Sequence, residues 1–138
     1  MSVSSAQTTA REFWESWGRG DLKATWKQYV SDEIVIHPSS GYEFTRESWR
    51  EADQWLHDAF EDIRMDVLDQ IADGDMVATR WSLTGRQQNE FFGVPSTGKT
   101  ATLTATVFER VTGGKITEHW AEVGVLQFLQ QLAANPDH

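Results

Sequence analysis

Residues 91–132, FFGVPSTGKTATLTATVFERVTGGKITEHWAEVGVLQFLQQL, decide how the rest of the chain is read. From Lys99 to Val111 the side chains alternate. Ala101, Leu103, Ala105 and Val107 fall on one side, and Thr100, Thr102, Thr104, Thr106 and Phe108 on the other. A period of two marks a strand with two unlike faces. Gly113-Gly114 supplies the positive φ angles of a two-residue hairpin turn. Lys115–Val123 then returns alongside, with Thr117, His119, Ala121 and Val123 on one face and Ile116, Glu118, Trp120 and Glu122 on the other. Val125, Leu126, Leu129 and Leu132 form a helical stripe that closes the segment. A long hairpin and a helix make one wall and the lid of a pocket.

Upstream, Ser4, Ser5 and Thr8 are candidate caps for a first helix carrying Ala10, Phe13, Trp14 and Trp17 at three- and four-residue spacing. Gly18 and Gly20 stop it, and Asp21 caps a short second helix with Leu22, Trp26, Tyr29 and Val30. Glu33–His37 reads as a strand ended by Pro38 and the turn residues Ser39, Ser40 and Gly41. Thr45 caps a third helix from Arg46 to about Phe60, with Trp49, Ala52, Leu56, Ala59 and Phe60 on its stripe and Asp53 beside it. Arg64–Ile71 and Met76–Arg86 read as strands joined at Asp73-Gly74-Asp75. In the second of these, Val77, Thr79, Trp81 and Leu83 alternate with Met76, Ala78, Arg80, Ser82 and Thr84. Neither set is cleanly polar, so that strand is expected to be covered on both sides. The sum is a single α+β domain over residues 1–138, with helices on one face of a curved antiparallel sheet and a small apolar pocket at the open end.

The 138 residues suffice for one core, and 39% hydrophobic content with seven Trp and seven Phe argues for a folded chain. A net charge of −9 argues against nucleic acid or an anionic membrane as partner. With no Cys, disulfides and thiolate chemistry are excluded. Residues 1–9 carry no basic start or apolar run, and no stretch approaches membrane-spanning length, so a cytoplasmic location is expected. His37, His57, His119 and His138 are scattered without chelating spacing, so no metal is expected, and no phosphate loop, dinucleotide fingerprint or nucleophile elbow is present.

Four stretches, Trp17–Leu22 (WGRGDL), Gly74–Arg80 (GDMVATR), Phe92–Lys99 (FGVPSTGK) and Gly114–Trp120 (GKITEHW), together with the order of elements, resemble the SnoaL-like polyketide cyclases of the NTF2-like superfamily. The likeness spans about residues 8–133. It implies a cone-shaped α+β barrel with a curved mixed or antiparallel sheet around three N-terminal helices and a C-terminal helix. It also implies a homodimer through the outer sheet face, and cofactor-free ring closure by intramolecular aldol chemistry. In that family an Asp on the last strand is the acid/base and a His on the preceding long strand assists. Counted through the hairpin, these positions fall at Ala121 and Val107, and a further Asp common after the motif falls at Gly124. Ala and Val carry no transferable proton, so the usual pair does not carry over.

Other residues must then serve any chemistry. His119 shares the inward side by parity and is a candidate proton shuttle, or else a hydrogen-bonded rim residue. His37 either orients a substrate oxygen at the mouth, or pairs with His119, or sits exposed before Pro38. Arg80 either binds a carboxylate or enolate oxygen or is neutralised by an acid such as Asp53 or Glu109. In epoxide hydrolases of the superfamily the matching strand carries Arg and Asp into the cavity, whereas here Ser82 stands at the second place. Asp53 is the best remaining carboxylate for a general base; its alternative is a solvated helix-flank charge in a surface pair with His57. Trp14, Trp49, Ser82, Ala105, Val107 and Ala121 are expected to line the pocket. Trp81, Phe108 and Trp120 are expected on the outer face, buried between two copies of the chain. The expected ligand is a small hydrophobic, oxygenated, polyketide-like molecule. Two functions stay open, with an epoxide- or water-adding activity as a third. One is a cofactor-independent acid/base enzyme; the other is a binding protein that kept the pocket and lost the chemistry.

Overall fold

A computed structural model of the chain describes residues 4–38 and 43–133. The expected turn at Ser39–Gly41 and His138 lie outside the described residues. In chain order the elements are α1 (Ser5–Gly18), α2 (Leu22–Tyr29), β1 (Val30–Ile36), α3 (Arg46–Ala59), β2 (Phe60–Asp73), β3 (Met76–Gln87), β4 (Thr100–Thr112), β5 (Lys115–Val123) and α4 (Val125–Ala133).

Local chemistry sets the helix starts. Ser4 Oγ accepts from the Gln7 N–H at 3.0 Å, and Asp21 Oδ1 from the Ala24 N–H at 3.2 Å. Thr45 and Ser48 exchange side-chain and backbone hydrogen bonds as a capping box, 3.0 and 2.9 Å long. At the far end of α1, Gly18 is required by proximity: a Cβ there would stand 2.7 Å from Met65 Cβ on β2. Gly113 and Gly114, at φ 59° and 76°, form the two-residue turn between β4 and β5.

The five strands make one open mixed sheet in the order β1-β5-β4-β3-β2, antiparallel except for the parallel β1–β5 pair. α1 packs across β2, β3 and β4, and α4 lies on β4. The inward faces of β3 and β4 (Val77, Leu83, Leu103, Val107) join Phe13, Trp17, Leu22, Phe128 and Leu132 in one core. Burying each such aliphatic or aromatic side chain contributes about 1.5–3 kcal/mol. This is the α+β cone that the sequence pattern and the resemblance lead one to expect.

Register corrects three expectations about sidedness. Trp81 pairs with Ala105 and Arg80 with Thr106, so Trp81 faces the core at 4% exposure while Arg80 faces out. Trp81 therefore cannot belong to an outer-face dimer patch, and β3 is not covered on both sides. Arg80 instead forms an exposed ion pair with Asp69 on β2. Ser82, opposite Thr104, shares the outward face. On β5 a bulge between the Arg110–Glu118 and Val111–Ile116 pairs makes Thr117 the extra residue. Ile116 is thereby turned inward and fully buried, while His119, Ala121 and Val123 keep the inward phase expected of them. A mixed-polarity strand has no phase of its own; its neighbours impose one.

Candidate functional site

Between the concave sheet face and the helices lies a cavity of about 390 Å³, walled chiefly by aromatic and aliphatic side chains. α1 supplies Trp14 and Trp17, and α3 supplies Trp49, Ala52, Asp53, Trp55 and Leu56. β3 and β4 supply Trp81, Leu103 and Val107, and β5 supplies His119, Ala121 and Val123. His37, Phe44, Phe91 and Phe92 from the connecting segments, with Ile36 of β1 and Val125 of α4, complete the wall. Of the expected lining residues, Trp14, Trp49, Val107 and Ala121 are in place. Ala105 is buried on the same face but is not part of this wall; its cross-strand partner Trp81 is. Ser82 points away from it, because β3 presents its odd-numbered side chains inward.

Two carboxylates are buried beside this cavity, and each is held by indole N–H groups. Asp53 Oδ2 accepts from Trp17 Nε1 at 2.9 Å and from Trp26 Nε1 at 3.2 Å. Asp53 is thus buried at 9% exposure, not a solvated helix-flank charge. Burial pushes its carboxyl up from the usual 3.8 to about 6, against the opposing pull of the two indoles, His119 and Arg50. His57 does not form a surface pair with it. Its Nε2 meets the Trp17 carbonyl at 2.9 Å, and burial lowers its pKa.

Glu109 is the second carboxylate, fully buried at 0% exposure. Oε1 accepts from Trp14 Nε1 at 2.9 Å, and Oε2 meets His119 Nδ1 at 3.1 Å. The ring of His119 stacks on Trp49, with centroids 4.2 Å apart and planes 29° from parallel. With Glu109 Oε2 accepting from Nδ1–H, the ring proton sits on Nδ1 and Nε2, on the other edge of the ring, is the nitrogen for a ligand. His119 is 4% exposed, lines the cavity and is hydrogen-bonded to Glu109. Sequence parity contained this signal: Glu109 continues the phase of Ala105 and Val107 and is the carboxylate on that otherwise apolar face. It does not neutralise Arg80, which lies on the opposite side of the sheet.

His37 stands at the mouth. Its Nε2 meets Glu118 Oε2 at 2.7 Å, its ring stacks on Trp120 at 4.5 Å, and only its backbone N–H reaches His119, at the carbonyl, 2.9 Å away. The expected imidazole–imidazole pairing with His119 is not formed, since Glu118, also bound by Arg110 Nε at 3.2 Å, claims the ring. The structure thus brings His119 and Asp53 to one cavity, keeps His37 at its edge and removes Arg80 from it. One further polar group is notable: the buried indole N–H of Trp81 has no hydrogen-bond partner among the described residues. No group of three or more His, Cys, Asp or Glu able to hold a metal is found among the described residues. None of the described helices is long and apolar enough to cross a membrane.

Known structures share this architecture. AclR from Streptomyces galilaeus, a candidate hydroxylase, superposes with a TM-score of 0.87 at 28% identity, over 99% of this chain and 86% of its own. IdmH from Streptomyces antibioticus, a candidate polyketide cyclase, gives 0.80 at 31% identity, over 94% and 99%. A candidate polyketide cyclase from Acidithiobacillus ferrooxidans gives 0.80 at 28%, over 96% and 97%. No curated protein matches the chain in sequence. The profile of the SnoaL-like polyketide cyclases matches residues 5–132, and the chain belongs to that family.

Proposed function

We propose that the protein is a cofactor-independent acid/base enzyme of the cyclase kind, acting on a flat, hydrophobic, oxygenated substrate held among the indoles. The observation that carries this reading is the buried Glu109–His119 pair, set in the wall of an otherwise largely apolar cavity. His119 Nε2 takes a proton from a carbon flanked by carbonyl groups, and the C–H electrons pass into an enolate. The enolate carbon attacks a second carbonyl carbon of the same molecule, forming the C–C bond. That carbonyl's π electrons move to its oxygen, which recovers the proton from the imidazolium. Substrate and product are isomers. Asp53, with a pKa of about 6, exchanges a proton near neutral pH and serves a carbonyl oxygen of the substrate in the same cavity. The aromatic walls favour a planar ligand and exclude water from the enolate.

The test is turnover of aromatic polyketide precursors with the wild type and His119→Ala, followed by absorbance and product mass. Loss of turnover in the variant with an unchanged product mass supports ring closure. Equal turnover removes His119 from the mechanism. A product heavier by one oxygen atom favours the hydroxylase type suggested by AclR.

A second reading, binding without turnover, is favoured by the Val107–Ala121 cross-strand pair, which lines the cavity and carries no transferable proton. Tight binding of the same precursors with no conversion by the wild type would favour it.

A further inference from the structure

Against Trp26 lies an open groove of about 690 Å³, bounded by α2, β1, the start of α3 and the start of β5. Five of the chain's twelve Lys and Arg residues line it, Lys23, Lys27, Arg46, Arg50 and Lys115, against two carboxylates, Asp32 and Glu33. In a chain of net charge −9 this is a segregation of sign. Of the seven Lys and Arg outside it, Arg11, Arg64, Arg80, Arg86 and Arg110 each form an ion pair with a carboxylate, while Arg19 and Lys99 form none among the described residues. In the groove only Arg46 has one, with Asp32 at 3.5 Å; Lys23, Lys27, Arg50 and Lys115 have none among the described residues.

The arrangement is also held in place. Lys23 and Lys27 stand one turn apart on α2, and Arg46 and Arg50 one turn apart on α3, two like-charge pairs that weaken their helices unless an anion lies between them. Lys115 Nζ donates to the Lys27 and Gln28 carbonyls at 2.8 and 2.7 Å. Arg46 lies over the Trp26 ring at 5.4 Å, with its Nε on the Ser31 carbonyl at 3.2 Å. Arg50 Nη1 leans on Gln54 at 3.2 Å.

We propose that this groove binds a small, multiply charged phosphate anion, a pyrophosphate or phosphate-ester group, between Arg46 and Arg50 on one side and Lys23 and Lys27 on the other. Guanidinium forks and ammonium groups on several sides suit a ligand with many oxygens and more than one charge; a lone carboxylate engages one side only. The size of the ligand follows from the rest of the surface. An acidic protein or a nucleic acid would be repelled by the excess of carboxylates around the groove, whereas a small anion enters without meeting them. Trp26 links the groove to the cavity at one remove: its ring underlies Arg46 in the groove, and its N–H holds Asp53, which lines the cavity.

The experiment is calorimetric titration of the full chain with sodium pyrophosphate in low-salt, phosphate-free buffer, with tryptophan fluorescence as a second readout and inorganic phosphate as a parallel ligand. Saturable binding is expected, tighter for pyrophosphate than for phosphate and weakened by salt. It should fall roughly tenfold or more in Lys23→Gln/Lys27→Gln and in Arg50→Gln, and stay unchanged in Arg64→Gln. Circular dichroism and melting confirm that the variants fold. Absence of saturation at millimolar pyrophosphate, equal binding by the groove variants, or tighter binding of a polyglutamate peptide than of pyrophosphate would each overturn the proposal. The readout is binding alone, so failure here leaves the proposed reaction untouched.

Discussion

Glu109 and His119 face each other across the β4–β5 ladder, and Glu109 Oε2 and His119 Nδ1 are joined by a 3.1 Å hydrogen bond with the carboxylate wholly buried. Glu109 acts through His119, as a positioning residue. In Glu109→Gln the amide oxygen keeps the Trp14 N–H, which turns the amide NH₂ toward Nδ1 and drives the imidazole proton onto Nε2. Turnover should fall about 100-fold or more with KM and melting temperature little changed. Glu109→Ala strands both donors and leaves a void, and should destabilise the fold by about 2–4 kcal/mol in denaturant titration. Equal kcat in the wild type and Glu109→Gln would refute the positioning role.

Asp53 should make the protein less stable as pH rises through its own titration. Its folded pKa of about 6 lies above the ordinary 3.8, so between those values the folded state holds more proton than the unfolded one. The cost is absent below the lower value and complete above the upper, where it reaches about 3 kcal/mol. Asp53→Asn removes it. The stability of the variant relative to wild type, measured by urea unfolding from pH 4 to pH 7, should therefore rise with pH. A flat difference would show that Asp53 titrates normally.

Trp17 and Trp26 both donate to Asp53 Oδ2, and both hold its pKa down. Trp17→Phe should raise the Asp53 pKa further, by about one unit, since a hydrogen bond to a charged group contributes roughly 1.5–3 kcal/mol. Carboxyl carbon NMR of labelled Asp reads the shift directly. Movement in the opposite direction would contradict the role given to the indole.

Arg80 should matter to neither chemistry nor fold. It pairs with Asp69 on the outer face, and both side chains are more than half exposed. Arg80→Ala should leave turnover unchanged and alter stability by under about 1 kcal/mol. A large loss of activity would return Arg80 to the cavity.

A second copy of the chain is proposed to cover the outer face. Phe108, 48% exposed, stands beside Trp120 across the β4–β5 ladder. Phe108→Glu should convert a dimer to a monomer in analytical ultracentrifugation without change in circular dichroism. A wild-type monomer at all concentrations would dispose of this interface.

The order of elements, the caps at Asp21 and Thr45, the turn at Gly113-Gly114 and the inward face of β4 were legible in the residues alone, with Ser4 one of three candidate caps for the first helix. Each follows from residues adjacent along the chain, where periodicity and side-chain-to-backbone bonds act. The residue pattern also placed His119 on the inward strand face and Asp53 beside a helical stripe. What needed the tertiary structure were properties owned by no single segment. The phase of β3 came from its register with β4, which turned Trp81 in and Arg80 out. The inward turn of Ile116 came from a bulge opposite Arg110 and Val111. The burial of Asp53 came from Trp17 and Trp26 on two other helices, and the partnership of Glu109 with His119 came from strand pairing across the hairpin. Desolvation and hydrogen bonding between distant residues depend on how the layers meet, and only the packed molecule fixes that.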